Sequence, residues 1–367
     1  MAGRVSTSAV SSRSGTFKSP LLFPLRMVLC VKAELADAEK VKSFLVEHSL
    51  FQEGYAYMKD ATHIFFPVIE KFDTRLPLTF VEKELEKSLK KGGLKDALRD
   101  VLSEEELAVL KTGMDQVGSI AIIEIDPALQ TKERLIAEKI LKLNRNIATV
   151  LKKKGGHEGE LRLQRYTFLA GEDTRETIVQ ENGVRLKINV ETVYYSVRSA
   201  TERKRIAGLV KKGERVLVMF SGAAPYPCVI AKNSNAKEIV GIELNEQGHE
   251  LGVENCRLNT LHNVILIQGD VKEAVPVLAE KGIVFDRIIM PLPHTGHDFL
   301  DEAFMVAKRG TIVHLYDFEQ EGEFEKAAEK TEAGAKRNKR LIKVLDITPS
   351  GQHSPRLFRV CVDFEVL

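Results

Sequence analysis

Val216-Leu217-Val218-Met219-Phe220-Ser221-Gly222-Ala223-Ala224-Pro225 decides the fold: an apolar run of one strand's length breaks into small residues and a proline. Such a break lets backbone N–H groups approach a ligand closely where a helix begins. Outward from it, Glu238-Ile239-Val240-Gly241-Ile242-Glu243-Leu244 reads as a second strand with an acid, Glu243, near its carboxyl end. An acid about 20 residues beyond such a turn is placed to reach ribose hydroxyls. Val264 to Ile267 is followed by Gly269-Asp270, and Phe285 to Met290 by Pro291-Leu292-Pro293. Four strand ends, each with a loop or an acid on one edge, describe a nucleoside-type ligand site on a doubly wound α/β sheet.

Strand and helix alternate at short spacing through residues 216–367, which calls for a parallel sheet covered on both faces. Helices are expected over 227–232, 247–259, 272–280, 297–308 and 319–335, with a fifth strand over 311–316. Two last strands, 341–347 and 357–366, are joined by Thr348 to Pro355. That joint is too short for a crossover helix, so the final strand runs antiparallel to its partner. A parallel sheet finished by a reversed hairpin resembles the Rossmann-like class I S-adenosylmethionine-dependent methyltransferases.

Upstream, residues 1–26 carry many serines, four basic residues and no acid. An upstream start or a disordered extension is expected there, ahead of a transit peptide. Residues 27–75 read strand, helix, strand, a small module with nothing catalytic in it. Residues 80–112 read as charged amphipathic helices, one of them from Val81 to Leu89. A second α/β or α+β domain is expected to reach residue 195, with the donor domain filling 196–367. Its basic stretches are uneven: ten Lys or Arg against four acids over 132–165, and nine against three over 185–215. A solvated face is the default reading of such runs. Two of them beside a nucleoside site also suit a phosphate-backbone track, which makes the domain over 76–195 a candidate for RNA binding.

Totals bound the rest. The net charge of +2 leaves any nucleic-acid affinity to local patches, and 44% hydrophobic with 29% charged residues is the composition of a globular chain. Four scattered cysteines show no metal spacing, which suits reduced thiols in the cytoplasm. No apolar run reaches membrane-spanning length. His294 and His297 share a helix spacing, yet no Cys or acid cluster completes a set with them, so no metal is expected.

Tyr194-Tyr195-Ser196 with Ala200-Thr201-Glu202-Arg203, the loop from Phe220 to Tyr226, and Asp286 to Pro293 together resemble the archaeal–eukaryotic tRNA (guanine-N1-)-methyltransferase family. That family modifies guanine 37, on the 3′ side of the anticodon. The likeness continues upstream through Gly159 to Arg162 and Ala170 to Glu172, and more weakly to Met27. It implies S-adenosylmethionine as donor and tRNA as partner, with the small module at 27–75 gripping a second, distant part of the tRNA. A monomer without membrane attachment is expected.

The chemistry fits those residue types. N1 of guanine holds a proton and attacks a sulfonium methyl only as that proton leaves. A carboxylate near N1 and a donor at O6 are therefore needed. Glu202 is the candidate base, as the family's motif also implies, and Arg162 is the matching candidate for the O6 contact, with Arg165 close enough to take its part. Arg203 is expected to hold Glu202 or to bind phosphate. Without the resemblance, Glu202 and Arg203 would read as a surface ion pair at a helix start. Tyr194 and Tyr195 are candidates to stack on the flipped base, or are simple packing, and Arg198 is a candidate substrate contact. Phe220, Ser221, Gly222, Ala223 and Pro225 would embrace the methionine part of the donor. Glu243 with Leu244 would take the ribose, Asp270 the adenine edge unless it is only a helix cap, and Pro291 and Pro293 the far wall.

Two positions depart from the family pattern. Ala224 stands where a glycine is usual and is expected to narrow the backbone's approach to the donor. Pro291 stands where an asparagine is usual and has no amide to orient a base. The rivals are thus a wyosine-pathway enzyme, transferring an aminocarboxypropyl group or methylating a tricyclic base, and an RNA-binding protein with a vestigial donor site.

Overall fold

In the computed structural model, which describes residues 25–52, 54–55, 57–74, 78–86, 93–159, 161 and 163–367, the apolar run after Met27 lies inside β1 (Leu25–Glu34). Alternate β1 residues feed two layers. Val31 and Ala33 join Val41 and Leu45 of α1 (Ala38–Glu47), while Val28 and Cys30 pack with Phe65 and Leu85. β2 (Met58–Lys59), β3 (His63–Pro67) and β4 (Thr79–Glu86) complete an antiparallel sheet in the order β2-β3-β1-β4.

β4 corrects the helix expected from Val81. Glu82 and Glu84 face solvent while Val81, Lys83 and Leu85 turn inward, a period of two hidden by the charge on Lys83. Its ammonium lies 4.6 Å from the centre of the Phe65 ring, so its stem covers the sheet and its charge sits on a π face. The N-terminal unit therefore runs past residue 75 and closes at Ala97, after the short α2 (Leu94–Ala97).

Residues 98–367 form the second unit. α3 (Glu104–Val109) starts at a capping box between Ser103 and Glu106. β5 (Met114–Val117), β6 (Ile120–Ile123), α4 (Glu133–Leu143), β7 (Thr149–Glu158) and β8 (Leu163–Gly171) follow, in sheet order β5-β6-β7-β8. A hairpin of β9 (Glu176–Glu181) and β10 (Val184–Asn189) leads into α5 (Ala200–Leu209). Then come β11 (Arg215–Val218), α6 (Pro225–Asn233), β12 (Glu238–Glu243), α7 (Glu246–Leu258), β13 (Val264–Gln268), α8 (Val271–Glu280) and β14 (Phe285–Met290). α9 (Leu300–Met305), β15 (Ala307–Gln320), α10 (Glu325–Arg337), β16 (Ile342–Ser354) and β17 (Leu357–Val366) complete the chain.

The large sheet is ordered β13-β12-β11-β14-β15-β17-β16, parallel through β15, with β17 antiparallel between β15 and β16. This is the doubly wound sheet with a reversed final strand that the sequence implies. The order turns at β11 and β14, and a crevice opens beyond their carboxyl ends. Residues 319 and 320 end β15 instead of starting a helix, and α10 begins at Glu325.

Among the described residues the apolar core continues across residue 195. Val117, Ile120 and Leu151 belong to one buried apolar cluster with Leu186, Ile188, Val216 and Tyr226. Two asparagines of the α7 end clamp the hairpin: Asn255 Oδ1 accepts from the Lys187 N–H, and Asn259 Oδ1 from the Arg185 N–H. The hairpin thus belongs with the large sheet.

Much of the basic excess is also internal. Lys132 pairs with Glu106, Lys152 with Glu133, Lys153 with Asp115 and Glu124, Lys187 with Glu254, and Arg215 with Glu238. A count of charges along the chain therefore overstates the surface left for phosphate. Among the described residues no helix is long and apolar enough to cross a membrane, and all four cysteines are free and buried.

Candidate active site

The turn after β11 is held in unusual backbone. Phe220, Gly222 and Ala224 have φ of 60°, 56° and 59°, left-handed values that cost a side-chain-bearing residue about 1 kcal/mol or more. Ser221 N–H is anchored to the Ile242 carbonyl of β12 at 2.8 Å. Gly222 N–H points at Glu243 Oε2, and Asn245 N–H reaches Oε1 at 2.8 Å. Burial pushes the Glu243 carboxyl above its ordinary value, and those two N–H groups pull it partly back.

Around this turn lies a cavity with an empty volume of about 1180 Å³, its open mouth included. Phe220, Ser221, Gly222, Pro225, Glu243, Leu244, Asp270, Pro291 and Pro293 all line it, joined by Tyr194, Tyr195 and Arg203. Asp270 does two things: it accepts from the Lys272 N–H as the cap of α8, and it faces the cavity. Phe299, missed in the sequence, packs edge-on against Phe220 at 4.8 Å and extends the apolar wall. A nucleoside fits such a lining: ring faces and prolines can flank the base, and the Glu243 carboxylate can meet the ribose diol.

Other expectations are corrected. Ala223 is buried outside the lining, its carbonyl accepting from Asn255. Ala224 does not narrow the cavity. It is fully buried, and its Cβ lies toward α7, where a methyl added to Gly252 would stand 3.2 Å from it. The glycine that the loop lacks is supplied by the helix. Arg198, 61% exposed, pairs with Asp115 at 2.7 Å instead of lining the cavity. Arg165 lies in a separate surface groove with Lys154, Tyr166 and Glu191. Arg162 lies outside the described residues, although its neighbour Leu161 lines the cavity.

Arg203 does not hold Glu202. Its guanidinium meets Glu181 of β9, with Nε to Oε1 at 2.6 Å and Nη2 to Oε2 at 2.5 Å. The Tyr195 hydroxyl donates to the same carboxylate at 2.7 Å, and Arg203 lies 5.1 Å from its ring centre. Tyr195 is therefore anchored packing, whereas Tyr194 is 45% exposed at the rim. Glu202 is 4% exposed and does not line the cavity. Arg205 clasps it through Nε and Nη2, both at 2.8 Å, and the Tyr316 hydroxyl donates to Oε1 at 2.6 Å. Arg359, from the far end of the chain, lines the cavity with one Nη on the Ser199 hydroxyl.

His294 and His297 go separate ways: the first packs on Phe318, and the second faces Asp317 at 3.8 Å. Under the sheet His314, Cys361 and Asp363 converge, a grouping whose atoms would suit a metal, but two guanidinium groups already serve it. Arg287 donates to His314 Nε2 at 2.6 Å and Arg205 to Asp363 Oδ2 at 2.7 Å. Since Nε2 must accept, Nδ1 carries the proton and donates to Asp363 at 2.6 Å.

His314 is thus neutral, and burial lowers its pKa from the ordinary value, as it does for His297. The unfolded chain takes up a proton near pH 6.5 that the folded chain refuses, so stability falls as pH drops below about 6.5. A melting temperature unchanged between pH 7.5 and pH 5.5 would contradict this assignment.

The TRM5/TYW2 methyltransferase domain matches residues 177–345, and the TYW2 N-terminal domain matches residues 94–174. A curated tRNA (guanine(37)-N(1))-methyltransferase, Trm5b of Pyrococcus abyssi, is 33% identical over 343 residues, 93% of this chain and 99% of its own. The chain belongs to the TRM5/TYW2 methyltransferase family. The crystal structure of that Trm5b superposes with a TM-score of 0.68 at 32% identity, again over 93% and 99% of the two chains. A complex of aTrm5 and tRNALeu gives 0.66 at 28% identity, over 92% of this chain and all of the other. The wyosine side of the TRM5/TYW2 family is similar over a shorter length. The tRNA(Phe) (4-demethylwyosine(37)-C(7)) aminocarboxypropyltransferase of Methanocaldococcus jannaschii is 31% identical over 206 residues, 56% of this chain and 80% of its own. As a TRM5/TYW2 methyltransferase the chain uses S-adenosylmethionine.

Proposed function

We propose that this chain transfers the methyl group of S-adenosylmethionine to N1 of guanine 37 in tRNA. The observation that carries the reading is the convergence of the turn after β11, Glu243, Asp270, Pro291 and rim-exposed Tyr194 on one cavity. The donor supplies an electrophilic methyl on a sulfonium. Glu243 would hold the ribose, the turn the methionine part, and Asp270 the adenine edge. Tyr194 would stack on the extruded guanine. We assign the base to Glu202 and the O6 contact to Arg162, with Arg165 and Arg198 on flanking phosphates. We place the reaction in the cytoplasm, which four free cysteines suit.

The test uses S-adenosylmethionine labelled in the methyl group with tRNA transcripts carrying guanine or adenine at position 37. Label recovered as 1-methylguanosine from the guanine transcript alone is the expected result. Pro291 and the match to a TYW2 N-terminal domain favour the wyosine reading as the second choice. No label on either transcript, with label then transferred to tRNA already carrying a tricyclic base at position 37, would establish it instead. Carboxyl-labelled donor marks aminocarboxypropyl transfer and methyl-labelled donor marks methylation. For the donor site itself, Glu243→Ala should weaken S-adenosylmethionine binding about 10- to 100-fold, the loss of hydrogen bonds to a charged group. Calorimetry giving the wild-type Kd would remove Glu243 from the site.

A further inference from the structure

Glu202 stands one side chain behind the cavity, and a chain of two hydroxyls spans the gap. Tyr226 lines the cavity and its hydroxyl lies 3.0 Å from that of Tyr316, which lies 2.6 Å from Glu202 Oε1. The direction of these bonds is fixed by chemistry. A carboxylate only accepts, so Tyr316 donates to Glu202 and its oxygen accepts from Tyr226. Tyr226 then keeps an oxygen lone pair for a further donor. All three groups are buried, and Arg205 holds the carboxylate from its other side.

We propose that Tyr226 and Tyr316 carry the N1 proton from the cavity to Glu202, a reading that rests on the function proposed above. As N1 bonds to the methyl carbon, the carbon–sulfur bond breaks and its electron pair returns to sulfur. The N1 proton passes to the Tyr226 oxygen, the Tyr226 proton to Tyr316, and the Tyr316 proton to Glu202 Oε1. Both tyrosines end as neutral phenols. The sulfonium becomes a thioether and the carboxylate a carboxylic acid, so charge balances. Tyr226 is then a catalytic residue that touches guanine, and Tyr316 acts through it.

The experiment measures single-turnover methyl transfer to the guanine-37 transcript by the full chain, wild type against Tyr316→Phe and Tyr226→Phe. Each variant should slow transfer about 100-fold, the low end of what general acid–base catalysis contributes. The donor Kd should not move, because neither hydroxyl is assigned to the donor. The rate of each variant should also rise with pH across a range where wild type is flat, as hydroxide replaces the lost path. A wild-type rate and pH profile in either variant would overturn the proposal. So would a slow rate matched by an equal loss of donor affinity, which marks a packing role. If Tyr316→Phe does not fold, Tyr226→Phe decides alone, since its hydroxyl bonds only to Tyr316 among the described residues. Failure of the wild type to label the guanine transcript appears before any variant is made, and sinks the functional reading with the relay.

Discussion

Glu202→Gln is expected to keep S-adenosylmethionine binding and to slow methyl transfer by about 10²- to 10⁴-fold, the span of general acid–base catalysis. The carboxylate lies outside the cavity lining, so the donor loses no contact when it becomes an amide. What it loses is the ability to take a proton. Glutamine also introduces an N–H₂ group into a site built only of donors, two from Arg205 and one from Tyr316. One of those three bonds must break, so a stability loss of about 1–3 kcal/mol accompanies the rate loss. The two effects separate cleanly by a donor titration beside a single-turnover rate. A variant that turns over at the wild-type rate removes Glu202 from the proton path and leaves it as the partner of Arg205.

Those strand ends were readable because parallel strands buried on both faces are continuous apolar runs, and the loops after β11, β12 and β14 had to carry the site. The Glu243 position followed from the same logic, and Gly222 N–H now points at its carboxylate. What stayed hidden was side-chain direction and long-range pairing. Lys83 broke the apolar period of β4 because its ammonium rests on the Phe65 ring, an arrangement that no charge pattern announces. Arg203 follows Glu202 in sequence but leaves α5 toward the hairpin, so its partner is 22 residues upstream. Arg359 lines the cavity only because β17 turns back between β15 and β16. The Cβ of Ala224 points to α7, so the missing glycine of the loop is made good by Gly252. Each failure lies where tertiary contact overrules local pattern.

The pairing of Arg203 with Glu181 predicts the largest change in stability. Both side chains are almost fully buried, at 3% and 5% exposure, so neither charge has water to fall back on. Glu181 accepts from Arg203 twice and from the Tyr195 hydroxyl, while Arg203 also donates to the Ser196 carbonyl at 3.1 Å. Glu181→Ala removes the acid and strands a buried guanidinium and a buried hydroxyl, at a cost of about 3–5 kcal/mol. At about 2–4 °C per kcal/mol for a large domain, the melting temperature should fall by roughly 10 °C. Donor affinity should fall as well, because Tyr195 and Arg203 form part of the cavity wall. The double variant Glu181→Leu with Arg203→Met removes both charges and fills the space with apolar atoms. It should be more stable than Glu181→Ala, since the desolvation of two ions offsets most of what their attraction supplies. Urea denaturation of wild type, single and double variants measures this directly. A Glu181→Ala loss under about 1 kcal/mol would mean that water reaches Arg203, and that the wall of the cavity is looser than its hydrogen bonds imply.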